Sequence, residues 1–257
     1  MLHESRGTRI RNAVVKRIRK PVWYFVYRLT GVRLQTPTRY LDLSMIGARF
    51  TVPALKAKGV LPSNKLTPIE RTPGIAELDL LAWEYRRVDI LFPYNEFAIF
   101  IPVVYKRNDK AQELPGYYFL YLPVTTEDAR WGGVEIYGFP KFLAEIGFED
   151  TAESRSCRLR AKGKNIIILE VKKLTIQSQS WDICCLTVKG RELVRSIFQV
   201  QGQRGSSDAP GGATFTLGDH PIAEELRALG IDQTSFQHEY LPQGQALFSK
   251  PLEALPL

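Results

Sequence analysis

Lys141 follows a proline in the segment Trp131-Gly-Gly-Val-Glu-Ile-Tyr-Gly-Phe-Pro-Lys-Phe-Leu-Ala144, hemmed by Ile136, Tyr137, Phe139, Phe142 and Leu143. An amine attacks a carbonyl carbon only when unprotonated, and apolar surroundings favour that form over the ammonium. The chemistry within reach of such a lysine is imine formation with a ketone or aldehyde. The residues alone leave a second reading open, in which Lys141 is a solvated lysine of a turn. Two carboxylates lie upstream, Glu96 in Leu91-Phe-Pro-Tyr-Asn-Glu-Phe-Ala-Ile-Phe-Ile-Pro102 and Glu84 in Leu80-Leu-Ala-Trp-Glu-Tyr-Arg-Arg87. A strand's period of two puts a lone acidic side chain on one face, so either carboxylate is a candidate for a barrel mouth. The alternative for each is a cross-strand pair with Arg86, Arg87 or Lys106.

Other chemistries find no foothold. There is no GxxxxGK[ST] and no GxGxxG between strand and helix, so no nucleotide site is expected. His3, His220 and His238 are scattered and belong to no HxH, HExxH or Cys/His cluster, so no metal or other cofactor is expected. No GxSxG elbow offers a serine nucleophile. Cys157, Cys184 and Cys185 form neither an even framework nor a CxxC pair, which points to a reducing, cytoplasmic setting.

These side chains need a scaffold, and the totals permit one. A chain of 257 residues, 44% apolar and 24% charged, buries a sizeable core. Residues 1–33 hold nine basic side chains against Glu4, which accounts for the whole formal charge of +8 and leaves the rest neutral. The body therefore carries no nucleic-acid footprint. The basic stretch and the aromatic run Pro21-Val-Trp-Tyr-Phe-Val-Tyr-Arg-Leu-Thr-Gly31 read as an N-terminal arm, residues 1–35, ahead of one domain, residues 36–257. The apolar run is too short for a bilayer, which needs about 20 residues. Two readings remain: an arm packed on the body or a neighbouring subunit, or peripheral membrane contact through residues 1–33.

From residue 40 onward, β-branched and aromatic segments bounded by Pro and Gly predict strands at 77–88, 96–105, 117–124, 157–160, 165–171 and 213–217, with a turn at Lys162-Gly163-Lys164. Helices are expected at 53–58, 190–198 and 221–229, the last capped by Asp219 and stopped by Gly230. Residues 201–212 read as loop. Many short strands at this spacing suggest a sandwich or a closed barrel.

The spacing Gly133-x-Glu135, four residues, then Pro140-Lys141 resembles the signature of the acetoacetate decarboxylase superfamily. Tyr94-Asn-Glu96 with Pro102-Val103 is similar to the strand that precedes it there, and His220-Pro-Ile-Ala-Glu-Glu-Leu and Tyr240-Leu-Pro-Gln-Gly-Gln-Ala-Leu-Phe resemble the last helix and strand. The resemblance implies a mainly β (α+β) fold, an antiparallel closed barrel or cone with a few peripheral helices, working without a cofactor and assembling as a homo-oligomer. It implies that Lys141 forms a Schiff base with a small keto acid, with Glu96 nearest the substrate and Glu84 as companion. Phe142, Phe139 and Tyr94 are the expected pocket neighbours, and Arg49 and Arg39 both stand near the place of an arginine that holds the substrate carboxylate. Two departures make the site less cationic: Phe142 stands where decarboxylases carry a second lysine, and Val134 where they commonly show arginine. Superfamily members that diverge around the lysine include aldolases and dehydratases, so these and a non-catalytic small-molecule-binding barrel are the alternatives.

Overall fold

The computed structural model describes residues 37–89, 91–107 and 113–257; the arm, residues 1–35, lies outside them. Among the described residues, fourteen strands fall into two sheets. The larger holds β1 (Thr38–Pro53), β2 (Leu66–Pro68), β3 (Glu70–Thr72), β4 (Ile75–Val88), β5 (Tyr94–Lys106) and β6 (Glu113–Tyr121). It continues after a long excursion with β10 (Gln177–Lys189), β11 (Glu192–Ser207), β13 (Gln237–Phe248) and β14 (Glu253–Pro256). Seven of these strands run in the order β5-β6-β10-β11-β13-β1-β4, and β4 pairs back onto β5 to close a barrel. The excursion builds the second sheet from β7 (Glu145–Asp150), β8 (Ser154–Ala161) and β9 (Lys164–Lys172), joined later by β12 (Ala213–Leu217).

The barrel wall carries apolar side chains on both faces, which is why its strands read as near-continuous hydrophobic runs. On β4, Leu81, Trp83 and Tyr85 point into the barrel, while Leu78, Leu80 and Ala82 point outward. The outward set packs against Leu159, Ile167, Leu169 and Phe215 of the second sheet, so two cores lie on either side of one wall. On β1 the parity changes: Tyr40 faces in, an irregularity follows, and then Leu43 and Met45 face in. An extra residue there restores the inward set after the bulge.

The all-antiparallel expectation fails at one joint, because β10 runs parallel to β6, pairing Cys185 with Tyr117 and Leu186 with Tyr118. The chain leaves the barrel at the end of β6, makes the second sheet, and re-enters at the end where β6 began, which is the long crossover a parallel pair requires. The expected helix at 190–198 is instead the start of β11, entered through a tight turn at Gly190 (φ 64). Its inward Val194, Ser196, Phe198 and Val200 follow a period of two. The expected loop at 201–212 is strand through Ser207, because pairing with β13 satisfies the backbone whatever the side chains. Gly202 suits a close crossing here: a Cβ would meet Gln243 O at 2.5 Å and Gly244 Cα at 2.6 Å.

Three helices are described: α1 (Ala54–Gly59), α2 (Glu127–Tyr137) and α3 (Pro221–Leu229). The cap of α3 is His220, whose Nδ1 accepts from the Ile222 N–H at 3.2 Å, in place of the expected Asp219. Gly230 stops it at φ 78, as expected. Helix α2 was not anticipated, because Gly132-Gly133 lies within it.

Candidate active site

The site is built from a short relay of backbone pairs. Helix α2 ends at Gly138, which adopts φ 72, and the chain then extends through Pro140 and Lys141. Val124 pins this segment: its N–H donates to Phe142 O at 2.9 Å, and its carbonyl accepts from the Ala144 N–H at 3.0 Å. On its other side Val124 bridges antiparallel to Glu96. Two elements far apart in sequence thus lock onto one residue, which sets Lys141 beside Glu96.

The Lys141 Nζ lies 2.5 Å from Glu96 Oε2, with the side chains 7% and 9% exposed. Tyr85 donates its hydroxyl to the other carboxylate oxygen, Glu96 Oε1, at 3.1 Å. Both oxygens are therefore engaged and the carboxylate is held in one orientation. Tyr40 and Tyr94 share a hydrogen bond of 3.1 Å just beyond. The Tyr94 and Phe139 rings lie 5.7 and 5.6 Å from the amine. Burial, followed by the nearby Glu96 charge, holds Tyr85 well above the usual phenol range, so it remains a donor at neutral pH. Burial likewise raises the Cys185 thiol, which lines the wall as a neutral group.

These groups open onto an internal cavity of about 50 Å³. Its walls are dominated by Trp83, Phe100, Phe119, Phe139, Phe198 and Phe248. Among the described residues that line it, Lys141 and Glu96 are the charged ones, and they face each other. A nearly dry amine–carboxylate pair can pass a proton without water, so the lysine can be delivered as a free amine when a carbonyl arrives.

Gly133 explains its own place in the motif. A Cβ built there would meet Lys141 Cε at 2.5 Å and Nζ at 3.2 Å, so the lysine stem lies against the bare backbone of α2. Glu135 of the same motif is exposed on the far side of the helix.

Of the other expected site residues, Tyr94 and Phe139 stand beside the amine. Phe142 does not line the cavity; it packs into the core between barrel and second sheet, because successive residues of an extended chain face opposite ways. Glu84 is likewise on the outer face of β4. It accepts from Arg155 at 2.8 Å and from Ser44 at 2.9 Å, clear of the barrel interior. The β4–β5 register decides this: Trp83 pairs with Glu96 and Glu84 with Asn95, so the two glutamates lie on opposite faces. Arg39 is exposed on β1, with its N–H directed to Asp89. Arg49 pairs with the buried Asp79 at 3.2 Å. Asp79 is six residues along β4 from Tyr85, roughly 20 Å at about 3.3 Å per residue. Neither arginine lines the cavity. Sequence reasoning missed Tyr85, Tyr40, Cys185, Phe198 and Phe248 on the wall. Tyr85 escaped because its face follows from the β4–β5 register, which turns Trp83 and Tyr85 inward with Glu96.

No curated protein matches the chain in sequence. Solved structures match it in fold. The acetoacetate decarboxylase from Legionella pneumophila subsp. pneumophila str. Philadelphia 1 superposes with a TM-score of 0.62 at 15% identity, covering 86% of this chain and 87% of that one. The enduracididine biosynthesis enzyme MppR complexed with pyruvate gives 0.60 at 16% identity, over 84% of this chain and 90% of that one. An acetoacetate decarboxylase-like enzyme from Sphingomonas wittichii RW1 gives 0.55 at 13% identity, over 88% and 94%. A family model described as acetoacetate decarboxylase matches residues 29–241. Since that match runs from ahead of β1 through the lysine segment and into β13, the chain belongs to the acetoacetate decarboxylase family.

Proposed function

We propose that the chain is an imine-forming enzyme in which Lys141 adds to the carbonyl carbon of a small substrate and Glu96 moves the protons. The observation that carries this reading is the 2.5 Å contact between the Lys141 amine and Glu96 inside an apolar cavity. Glu96 takes a proton from the ammonium, and the free amine adds to the carbonyl to give a carbinolamine. Glu96 returns that proton to the hydroxyl, which leaves as water, and an iminium remains on Lys141. The iminium draws electrons from the α-carbon, so a bond there breaks to give an enamine in place of an unstabilised carbanion. That intermediate serves decarboxylation, aldol cleavage and dehydration alike, which suits a family whose structural neighbours include a decarboxylase and an enzyme holding pyruvate. Water then hydrolyses the imine and frees the lysine.

Reduction with cyanoborohydride in the presence of a carbonyl compound tests the reading. The substrate-derived mass is expected on the Lys141 peptide, with none in Lys141→Ala. Glu96→Gln should slow trapping by roughly 10²–10⁴-fold, the usual worth of a positioned acid–base group. Mass spread over surface lysines, with Lys141 unmodified, would make the protein a binding barrel without imine chemistry.

A further inference from the structure

We propose that Arg155, which stands outside the barrel on β8, is a positioning residue for the site: through Glu84 it holds Tyr85 on Glu96. The proposal rests on the imine reading and names a residue that sets its geometry from the far side of the wall. Arg155 is 6% exposed. Its Nη1 donates to Ser44 Oγ at 2.7 Å and its Nη2 to Glu84 Oε2 at 2.8 Å. Ser44 Oγ in turn donates to the same Glu84 oxygen at 2.9 Å, which closes a triangle of side chains over β1, β4 and β8. The Arg155 Nε lies 3.3 Å from Asp150 of β7, and the guanidinium covers the Phe148 ring, 4.5 Å from its centroid. The guanidinium fork is planar and its donors point in fixed directions, so these partners hold it in one orientation.

The triangle grips β4 one residue from the chemistry on either side. Glu84 follows Trp83, the register partner of Glu96, and precedes Tyr85, whose hydroxyl donates to Glu96 Oε1 at 3.1 Å. The second sheet holds the neighbouring strand at the same level: Asn95, the register partner of Glu84, donates its Nδ2 to Ile146 O of β7 at 2.9 Å. Side chains alternate across a strand, so drawing Glu84 outward is the same act as turning Tyr85 inward. Ser44 adds a constraint of its own, since it pairs with Glu84 just past the irregularity on β1. An irregularity lets a strand change its parity, and an anchored residue after it fixes which face each side chain takes.

Burying a guanidinium costs desolvation that its ion pair offsets only in part, so the pair adds little to stability. It adds direction. With Glu84 released, β4 is free to turn, the Tyr85 hydroxyl leaves Glu96 Oε1, and the carboxylate is held only by the Lys141 amine it has to serve.

Trapping of pyruvate at Lys141 by cyanoborohydride is followed in the full-length protein over a range of pyruvate concentrations. The proteins are wild type, Arg155→Met, Tyr85→Phe and the double variant, each checked for folding by circular dichroism. Arg155→Met is expected to lower the rate at saturating pyruvate on the order of tenfold, the worth of one hydrogen bond to a charged group, and to leave the half-saturating concentration within about twofold. Tyr85→Phe should do the same. The double variant should be no slower than the slower single one, because both changes remove one constraint, and that result supports the proposal. If Arg155→Met does not fold, Arg155→Lys, which keeps the charge without the planar fork, takes its place in the cycle. Losses that multiply in the double variant, or a wild-type rate in a folded Arg155 variant, overturn the proposal and leave the imine reading standing, with Arg155 only joining the two sheets. No label on Lys141 in the wild type overturns the imine reading and the proposal with it.

Discussion

Gly133 and Lys141 form a single unit although eight positions separate them. The glycine's missing side chain is the space the lysine stem fills. Gly133→Ala puts a methyl group 2.5 Å from Lys141 Cε, which forces the amine off its line to Glu96. The same change raises helix propensity in α2 by up to about 1 kcal/mol, so the fold is expected to survive. Trapping at Lys141 should fall by on the order of 10²-fold, the scale of a misplacement of about 1 Å. Unchanged trapping in a folded variant would show that the stem has room to spare. At this scale the sequence was most legible where residues share a local motif. Lys141 and Glu96 were singled out by the spacing of the motif, since the residues alone left open a solvated turn lysine and a cross-strand ion pair. Glu84 and Phe142 were not, because each depends on strand parity, and a shift of one residue sends a side chain through the wall.

The strands were legible as elements, and their partners were not. Apolar β-branched runs marked β4, β5, β8, β9 and β12, whereas the hairpin into β11 was read as a helix because Glu192-Leu-Val-Arg-Ser-Ile-Phe also fits a helical spacing. The site depends on the barrel's inward face, and that face carries one costly group away from the chemistry. Asp79 is 2% exposed, and burial pushes its carboxyl up to about 8 although Arg49 beside it pulls the other way. A carboxyl whose folded value lies above its unfolded one binds its proton more tightly when folded. Its contribution is full below the unfolded value near 4 and is lost as pH rises toward 8. Stability of the wild type is therefore expected to decline across that window from this group, by on the order of a few kcal/mol. Asp79→Asn should flatten the decline, so the variant gains on the wild type as pH rises. Urea midpoints measured between pH 5 and 9 check this; parallel curves for the two proteins would mean that Arg49 keeps Asp79 ionised throughout.

At the scale of the molecule, charge and fold are separable. The +8 of the chain lies in residues 1–33, and no helix among the described residues is long and apolar enough to cross a membrane. We propose that this segment, with nine cations and Trp23, brings the protein to anionic lipid surfaces. Full-length protein should sediment with phosphatidylserine vesicles at low salt and release as salt rises past about 0.1 M, where the Debye length is about 10 Å. Protein lacking residues 1–33 should remain in the supernatant; co-sedimentation of the truncated form, or none by the full chain, would leave the segment as a packing arm.

The parallel joint between β6 and β10 follows from arithmetic as well as from the path of the chain. A closed ring of antiparallel neighbours must alternate up and down, and an odd ring of seven cannot do so all the way round. Somewhere two neighbours must point the same way, and this fold places that frustrated seam at β6 and β10. The ladder there pairs only Cys185 with Tyr117 and Leu186 with Tyr118, while the antiparallel joint beside it, β10 with β11, pairs thirteen positions. Parallel pairing is also slightly weaker per residue. The barrel should therefore breathe at the seam before it breathes elsewhere. In native-state hydrogen exchange the amides of residues 117, 118, 185 and 186 are expected to lose protection at a lower free energy than those along the β1–β4 joint. Uniform protection around the ring would refute it. Cys185 belongs both to the seam and to the wall of the Lys141 cavity, so loss of pairing at the seam would loosen that wall as well.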